Sequence, residues 1–192
     1  MPYSREHKQR SRENILDSAL KLFTQQGFEK TSIDEIMSDA KLTRGAFYAH
    51  FKNKSELYQQ ALLSGTLNSK VIHKKPEQYS DEQWFKIMIK AYLSTKHVRK
   101  AETPCPLAFL VTDVATSEPG VKQTYAEVYQ KMNKLMVKYA SRFSDCDSNK
   151  IYAVTAMMIG AVAIGRSIDN IAKLKMLLTS CETTILEILE IA

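Results

Sequence analysis

Apolar residues recur at helical spacing along almost the whole chain, and no segment shows a convincing alternation of apolar and polar positions. Glycine and proline lie mostly at the junctions between the periodic segments, where they end helices. The pattern therefore predicts an all-α fold. The first helix is expected over about residues 6–26, ending at Gly27, with a buried face formed by Ile15, Leu16, Ala19, Leu20 and Phe23.

Further helices are predicted beyond residue 53 from the same spacing and from residues that favour helix starts. Ser80 and Gln83 have the spacing of a capping box, and Pro119 suits a first helical turn. The predicted helices run from near Lys54 with fraying around 70–76, from Ser80 to about Lys100, over 107–115 after Pro104, Cys105 and Pro106, and from about 117; two more close the chain. The helix after residue 117 carries an apolar stripe of Val121, Tyr125, Val128, Tyr129, Met132, Leu135, Met136, Tyr139 and Phe143.

Residues 31–57 predict two short helices joined by a tight turn. Ser32 opens a capping box for a helix that runs to about Ala40. Thr43 is suited to capping the following helix, so Arg44 lies at that helix's N-terminal end. From there a guanidinium group can reach a base edge or a phosphate, and the arrangement is typical of a DNA-reading helix pair.

The second helix of this pair has two different faces. Phe47 and Phe51 lie four residues apart and predict a small core, which directs the polar tips of Tyr48 and His50 elsewhere, where they can bind phosphates. Gly45 inside a helix costs about 1 kcal/mol relative to alanine. Another group is therefore expected to lie close to its backbone, either a DNA phosphate or the first helix of this pair.

A third helix start follows directly. Asn53, with Glu56 three residues later, is suited to capping it. Lys54 lies in its first turn, where free amides and a cation together can hold a phosphate.

This combination of residues resembles the N-terminal signature of TetR-family transcriptional repressors over roughly the first third of the chain. In that family the helix that bears the run at residues 43–51 enters the major groove. The resemblance implies that Arg44, Ala46, Tyr48 and His50 lie on or beside DNA, that Thr31, Ser32, Thr43 and Lys54 hold the DNA backbone, and that Phe47 and Phe51 are structural. The matching residues are Arg12, Ile15, Leu16, Ala19, Leu22, Phe23, Gly27, Phe28, Thr31, Ser32, Ile36, Ala40, Thr43, Gly45, Phe47, Tyr48, His50, Phe51, Lys54 and Leu57.

The same resemblance implies two domains. Residues 1–53 would form a three-helix helix-turn-helix DNA-binding domain, and residues 54–192 a helical domain for ligand binding and dimerisation. Within the last two helices, small residues recur every four positions and a near-heptad apolar stripe follows, which favours half of a four-helix homodimer interface over packing inside one chain. The small residues are Ala153, Ala156, Gly160, Ala161 and Gly165, beside Met157, and the stripe is Ile171, Leu174, Leu178, Cys181, Ile185 and Ile188. A two-fold homodimer would present two reading helices to a palindromic operator in double-stranded DNA.

The middle helices carry aromatic and Met side chains that could line a pocket for a small apolar or aromatic effector, although ordinary core packing would use the same residues. Cys105 between two prolines is a candidate sensor of electrophiles or oxidants, and a buried inert thiol is the alternative. The candidate ligand residues are Trp84, Met88, Tyr92, Cys105, Phe109, Tyr125, Tyr129 and Met132.

Two other functional classes were weighed against a repressor. An enzyme would need Cys105 as nucleophile and His97 as its base, but no orienting third group can be identified. A helical adaptor would use the apolar stripes and leave the run from Arg44 to His50 without a role. The sequence shows no Gly-rich phosphate loop, metal-ligand cluster or paired-carboxylate motif, so neither a cofactor nor a metal is expected.

Composition agrees with a DNA-binding protein without identifying one. The 192 residues carry a formal net charge of +6, which suits a phosphate partner and also fits many other basic proteins. Three cysteines without metal-ligand spacing, the absence of a secretory signal, and a longest apolar run of residues 151–165 predict a soluble cytoplasmic protein with no membrane partner.

Overall fold

Helices account for all regular structure in the part of the chain that the computed structural model describes, which is residues 5–67, 75–99, 105–143 and 147–191. The prediction of an all-α fold is confirmed, and no strand occurs in those ranges. The helices are α1 Arg5–Gln26, α2 Ile33–Asp39, α3 Arg44–Tyr48, α4 Lys54–Leu67, α5 Asp81–Tyr92, α6 Thr95–Val98, α7 Pro106–Phe109, α8 Val111–Ala115, α9 Pro119–Ala140, α10 Ser148–Gly165 and α11 Ile171–Ile188.

Helix ends fall where the sequence predicted them when a capping group marks the end. The Ser32 and Ser80 capping boxes both form, with Glu35 and Gln83 as their partners. Gly27 follows α1 with a φ of +84°, a left-handed conformation that glycine adopts without strain. Its N–H donates to the carbonyl of Phe23 at 2.8 Å, which satisfies the end of α1.

Three predicted helix boundaries are wrong. The expected single helix from Ser80 to about Lys100 is broken into α5 and α6 at Leu93, whose φ and ψ of −85° and 43° leave the helical range. The expected single helix over 107–115 is broken into α7 and α8 at Leu110, whose φ and ψ of −113° and 4° leave the helical range. Phe143 does not lie on α9, because that helix ends at Ala140. The predicted helix end at Lys100, most of the fraying segment, Pro104 and Cys146 lie outside the described residues.

One compact unit, unit 1, comprises Met1–Asn68 and Ala101–Val128. Within it α1 packs on α4, α2 and α7, and α4 packs on α7. An aromatic cluster lies at its centre: the Tyr58 ring is 4.7 Å from the Phe23 ring and 5.0 Å from the Phe28 ring, centroid to centroid. The predicted buried face of α1 is confirmed, since Ile15, Leu16, Ala19, Leu20 and Phe23 all belong to this core.

The second compact unit, unit 2, comprises Ser69–Lys100 and Tyr129–Ala192. Here α10 packs on α11, α6 and α5, and α11 also contacts α5 and α6. By length and composition α10 could cross a membrane, but 44% of its apolar window is buried inside the fold, as in a core helix of a soluble protein. The proposed domain boundary between residues 53 and 54 stays a prediction.

Candidate nucleic-acid interface

The turn between α2 and α3 is fixed by backbone hydrogen bonds. After α2 the N–H of Leu42 donates to the carbonyl of Met37 at 2.9 Å, and the N–H of Lys41 donates to the carbonyl of Ser38 at 3.0 Å. This pair of bonds is a Schellman motif, which normally uses glycine at its left-handed position. Lys41 occupies that position with a φ of 57°. The angle between the two helices is thus set by main-chain bonds.

The capping box of α2 is electrostatic as well as geometric. The Glu35 carboxylate accepts from the Ser32 N–H at 2.7 Å and from the Ser32 hydroxyl at 2.8 Å. These bonds, the backbone one first, hold the pKa of the Glu35 carboxyl below its ordinary value. Ser32 is exposed at the start of α2, in the place expected of a residue that faces a phosphate.

Helix α3 is amphipathic over only five residues. Phe47 and Phe51 are 0% and 2% exposed, which confirms their structural role, and Ala46 is half-buried against the same core. Tyr48 is 59% exposed, with its ring edge against Phe47. Thr43 precedes the helix at the capping position but makes no side-chain capping bond. The exposed surface of α3 therefore combines polar side chains with accessible backbone.

Arg44 reaches back to α2. Its Nη1 atom lies 2.7 Å from Oδ2 of Asp34, with both side chains mostly exposed. An ion pair in this setting contributes little to stability, because water screens it. Its consequence is positional: it orients the guanidinium group, which retains further N–H donors for another partner.

Gly45 lies in open space. A Cβ atom built on it would meet only Thr43 Oγ1, at 4.0 Å. Helix α2, one of the two neighbours predicted to require glycine here, would therefore not contact that Cβ atom. No contact in the described part of the chain requires position 45 to lack a side chain.

His50 is half-buried beside α1. Burial lowers the pKa of its imidazole, and the positive charges of Lys8 and Arg12 lower it further. The ring is therefore mostly neutral at neutral pH, and it can donate or accept a hydrogen bond without bringing its own charge.

Thr31 and Lys54 have structural partners that the sequence did not reveal. Thr31 is 1% exposed, and its hydroxyl donates to the carbonyl of Gly27 at 2.8 Å. Lys54 Nζ donates to the carbonyls of Phe28 and Thr31 at 2.8 and 3.2 Å and lies 4.1 Å from the centre of the Phe28 ring. An ammonium group has three N–H donors, so one remains for a phosphate. Direct DNA contact by either residue stays a prediction.

The predicted effector residues fall in both units. Trp84, Met88, Tyr92, Tyr129 and Met132 belong to unit 2, whereas Cys105, Phe109 and Tyr125 belong to unit 1. Trp84 and Met88 are buried, and the others are half-buried. A shallow depression of about 400 Å³ at the end of α11 is lined by Thr183, Leu186, Glu187, Glu190 and Ile191, none of which was predicted.

Sequence reasoning missed a buried polar group in unit 2. The Thr155 hydroxyl, which is fully buried, lies 2.8 Å from Asn133 Oδ1 and 3.2 Å from the Tyr129 hydroxyl. These bonds tie α9 to α10 through the same stripe that the sequence marked as apolar. The available signal was Asn133 itself, a strongly polar residue one position beyond Met132 on that stripe.

Known proteins match the chain at two levels. Residues 15–61 match the family described as "Bacterial regulatory proteins, tetR family". The HTH-type transcriptional regulator AcrR of Shigella flexneri is 49% identical over 57 residues, which cover 30% of this chain and 26% of that protein. The probable acrEF/envCD operon repressor of Escherichia coli (strain K12) is 37% identical over 54 residues, covering 28% of this chain and 24% of the relative. The matched segment thus spans about a quarter of these curated relatives.

Solved structures extend the likeness in fold to nearly the whole chain. A TetR transcriptional regulator from Chloroflexus aurantiacus has a TM-score of 0.77 at 18% identity, covering 95% of this chain and 97% of that one. The reduced form of Escherichia coli NemR has a TM-score of 0.74 at 14% identity, covering 93% and 97%. Residues 15–61 thus match the DNA-binding segment of the tetR family, and the described chain shares its fold with solved TetR-family regulators.

Proposed function

We propose that the chain is a cytoplasmic repressor that binds a palindromic operator as a homodimer and releases it when a small molecule binds. The exposed side of α3 carries this proposal. Arg44, Gly45 and Tyr48 are all exposed there, while Phe47 anchors the opposite side in the core. A short helix with a buried base and an accessible polar surface fits the major groove of DNA.

A glycine at position 45 is easier to explain on a helix that binds DNA than on a helix that faces only solvent. Alanine at this position would stabilise α3 by about 1 kcal/mol, and the protein offers no steric reason against it. Retaining glycine at that cost is understandable if DNA approaches the backbone at α3. Arg44, oriented by Asp34, would lie beside that contact and reach a base edge or phosphate.

Repression, rather than activation, is inferred from the relatives. One matched protein is described as a probable operon repressor. The match is confined to the DNA-binding segment, so repression remains part of the proposal.

A homodimer is supported by apolar surface on the last two helices. Tyr152 and Ile164 on α10 and Ile171 and Met176 on α11 are large, exposed and apolar. Packing within one chain, the alternative, explains Leu174, Leu178 and Ile185 of the α11 stripe, which are buried. It does not explain the four exposed apolar residues, which a second copy would cover.

The effector is proposed to bind unit 2 reversibly, beside Trp84, Met88, Tyr92 and Tyr129. Trp84 is a large buried side chain whose indole N–H has no hydrogen-bond partner among the described residues. A ligand with an acceptor oxygen or nitrogen would satisfy it. A thiol switch at Cys105 is the less favoured alternative. Cys105 precedes α7, whose four residues form too short a helix to supply a strong aligned dipole.

The operator can be found without knowing the regulated genes, by selecting bound duplexes from a random-sequence DNA library. On the selected duplex, Arg44→Ala is expected to lose about 1–3 kcal/mol of binding free energy and to relax selectivity at one position. Gly45→Ala is expected to raise the melting temperature and yet bind more weakly. Lys134→Ala, which changes an exposed lysine on α9 away from α3 and from the proposed dimer surface, is the control and should match the parent. Recovery of no preferred sequence, or full binding by both α3 variants, would refute the proposal.

The dimer is tested by placing a charge on its proposed interface. Ile164 is 58% exposed in one chain, so Ile164→Asp should fold normally but leave an unpaired carboxylate in the interface of a dimer. Sedimentation should show a dimer for the parent and a monomer for the variant. Val111→Asp makes the same change at an exposed apolar residue of unit 1 and should stay dimeric. A monomeric parent at micromolar concentration would contradict the proposal.

A further inference from the structure

Asp113 on α8 accepts hydrogen bonds from two separate parts of the DNA-reading module. Both of its carboxylate oxygens lie 3.2 Å from the N–H of Phe28, in the turn between α1 and α2. Oδ2 also accepts from the hydroxyl of Tyr58, on α4, at 2.5 Å. These partners are 85 and 55 residues away in sequence, and all three residues lie in unit 1.

The contact with Tyr58 is deeply buried. Tyr58 is fully buried among the aromatic rings of the unit 1 core. Burial, followed by the hydrogen bond to Asp113, raises the pKa of its phenol far above the ordinary value. The phenol is therefore a committed donor to the carboxylate, and removing either partner leaves a buried polar group without its bond.

Gly27 leaves room for the Asp113 carboxylate beside the α1–α2 turn. A Cβ atom on Gly27 would lie 3.0 Å from Asp113 Oδ1, closer than side chains normally approach. Glycine at this position thus serves both the left-handed turn and the close approach of Asp113.

The Phe28 main chain is held at both of its polar groups. Its N–H donates to Asp113, and its carbonyl accepts from Lys54 Nζ, which also binds the carbonyl of Thr31. Thr31 directly precedes Ser32, the capping residue of α2. A continuous path of polar contacts therefore runs from α8 through the turn to the start of α2 and to the first turn of α4.

We propose that Asp113 is a positioning residue for operator binding: it sets where the α2–α3 pair lies by anchoring the α1–α2 turn and α4 to the segment that contains α7 and α8. The inference rests on the proposed function. A shift of α8 would displace Phe28 and Tyr58 together, since a single carboxylate holds both. Asp113 itself touches no DNA.

A purely structural role predicts something different. If the carboxylate merely stabilised unit 1, its loss would lower operator affinity only by lowering the folded fraction. Thr124→Val supplies the matched comparison. The Thr124 hydroxyl lies 3.3 Å from Gln59 Oε1 on α4 and 3.0 Å from the Gly120 carbonyl, and neither of these partners belongs to the α1–α2 turn.

The test compares Asp113→Asn, Tyr58→Phe and Thr124→Val in the full chain, at a temperature where circular dichroism shows each to be folded. On the selected operator duplex, the Asp113 and Tyr58 variants should bind about tenfold more weakly than the parent, and Thr124→Val within about twofold of it. The double variant of Asp113 and Tyr58 should lose little more than Asp113→Asn alone, because the bond that Tyr58→Phe removes is one of those made by the Asp113 carboxylate.

Hydrogen exchange provides a second readout that needs no DNA. In Asp113→Asn, amides of the Phe28 turn and α2 should exchange faster than in Thr124→Val at matched global stability. Operator affinity of the Asp113 variant equal to that of Thr124→Val overturns the proposal. If the parent selects no operator, the proposed function has failed, and exchange alone decides: equal protection of the turn in the two variants would then overturn the positioning role.

Discussion

The Lys54 ammonium group binds the carbonyls of Phe28 and Thr31 within unit 1. Its sequence position predicts a phosphate-binding cation and does not reveal these two acceptors. The spacing of Phe47 and Phe51, in contrast, predicts core residues, and both are buried. The acceptors of Lys54 lie more than twenty residues away, in a turn whose path depends on the left-handed Gly27. No local pattern carries that information.

His50 should make stability depend on pH in a defined window. Its pKa in the folded chain lies below the ordinary value of 6.5, so the unfolded chain binds the proton more readily. The free energy of unfolding is therefore expected to fall as pH drops below that value. His50→Gln removes this contribution, and the fall in melting temperature between about pH 7.5 and 5.5 should be smaller in the variant than in the parent. Identical falls would show that His50 is solvated like a free imidazole.

Capping residues made the helix starts predictable, while helix breaks without a marker residue were not. The Ser32 and Ser80 capping boxes formed as expected. No glycine or proline marks the break at Leu110. Lys41 takes a left-handed conformation at a position where glycine is the usual residue. Tertiary packing accounts for the break at Leu110, which is buried in the core of unit 1.

Glycines on two helices should respond oppositely to alanine. On α4, a Cβ atom at Gly65 would lie 2.6 Å from Leu20 Cδ2 and 3.2 Å from Pro106 Cγ. Gly65→Ala should therefore force α1, α4 and α7 apart and lower the free energy of unfolding by about 1–3 kcal/mol. A Cβ atom at Gly160 on α10 would have no described neighbour from outside its own stretch of helix within 4 Å. Gly160→Ala should therefore stabilise the isolated chain by about 1 kcal/mol.

Chemical denaturation of both glycine variants at a concentration that keeps the chain monomeric provides the measurement. A destabilised Gly160→Ala would mean that α10 is packed more closely than it is in this structure. Gly165, grouped with Gly160 in the sequence, differs from it: a Cβ atom there would meet Leu174 Cδ1 at 2.9 Å, so this glycine serves packing within unit 2.

At the scale of the whole molecule, net charge was a poor guide to the DNA-binding surface. Unit 1 carries 11 Lys and Arg against 12 Asp and Glu, whereas unit 2 carries 16 against 9. The positive excess of the chain therefore lies outside unit 1, which contains the proposed DNA-reading helix α3. The proposed binding would depend on the local arrangement of groups such as Arg44 and the start of α2, because the net charge of unit 1 is not positive.

The fold class and the helix-turn-helix were predictable because they depend on local spacing and caps. The split of the chain into two units was not, since residues 101–128 join the N-terminal helices across a gap of more than thirty residues. The Asp113 contacts depend on this association of residues 101–128 with the N-terminal helices. A carboxylate on an unremarkable short helix gains its role only when the fold brings the α1–α2 turn to it.

The single tryptophan makes the two halves of the molecule optically distinguishable. Trp84 is 7% exposed and lies in unit 2, while unit 1 has tyrosine and phenylalanine alone. Indole fluorescence shifts to longer wavelength when water reaches the ring. The emission maximum of the unlabelled protein therefore reports whether unit 2 is folded. Melting followed by this emission and by circular dichroism would reveal whether the units unfold together, and quenching by a candidate effector would identify it without any label.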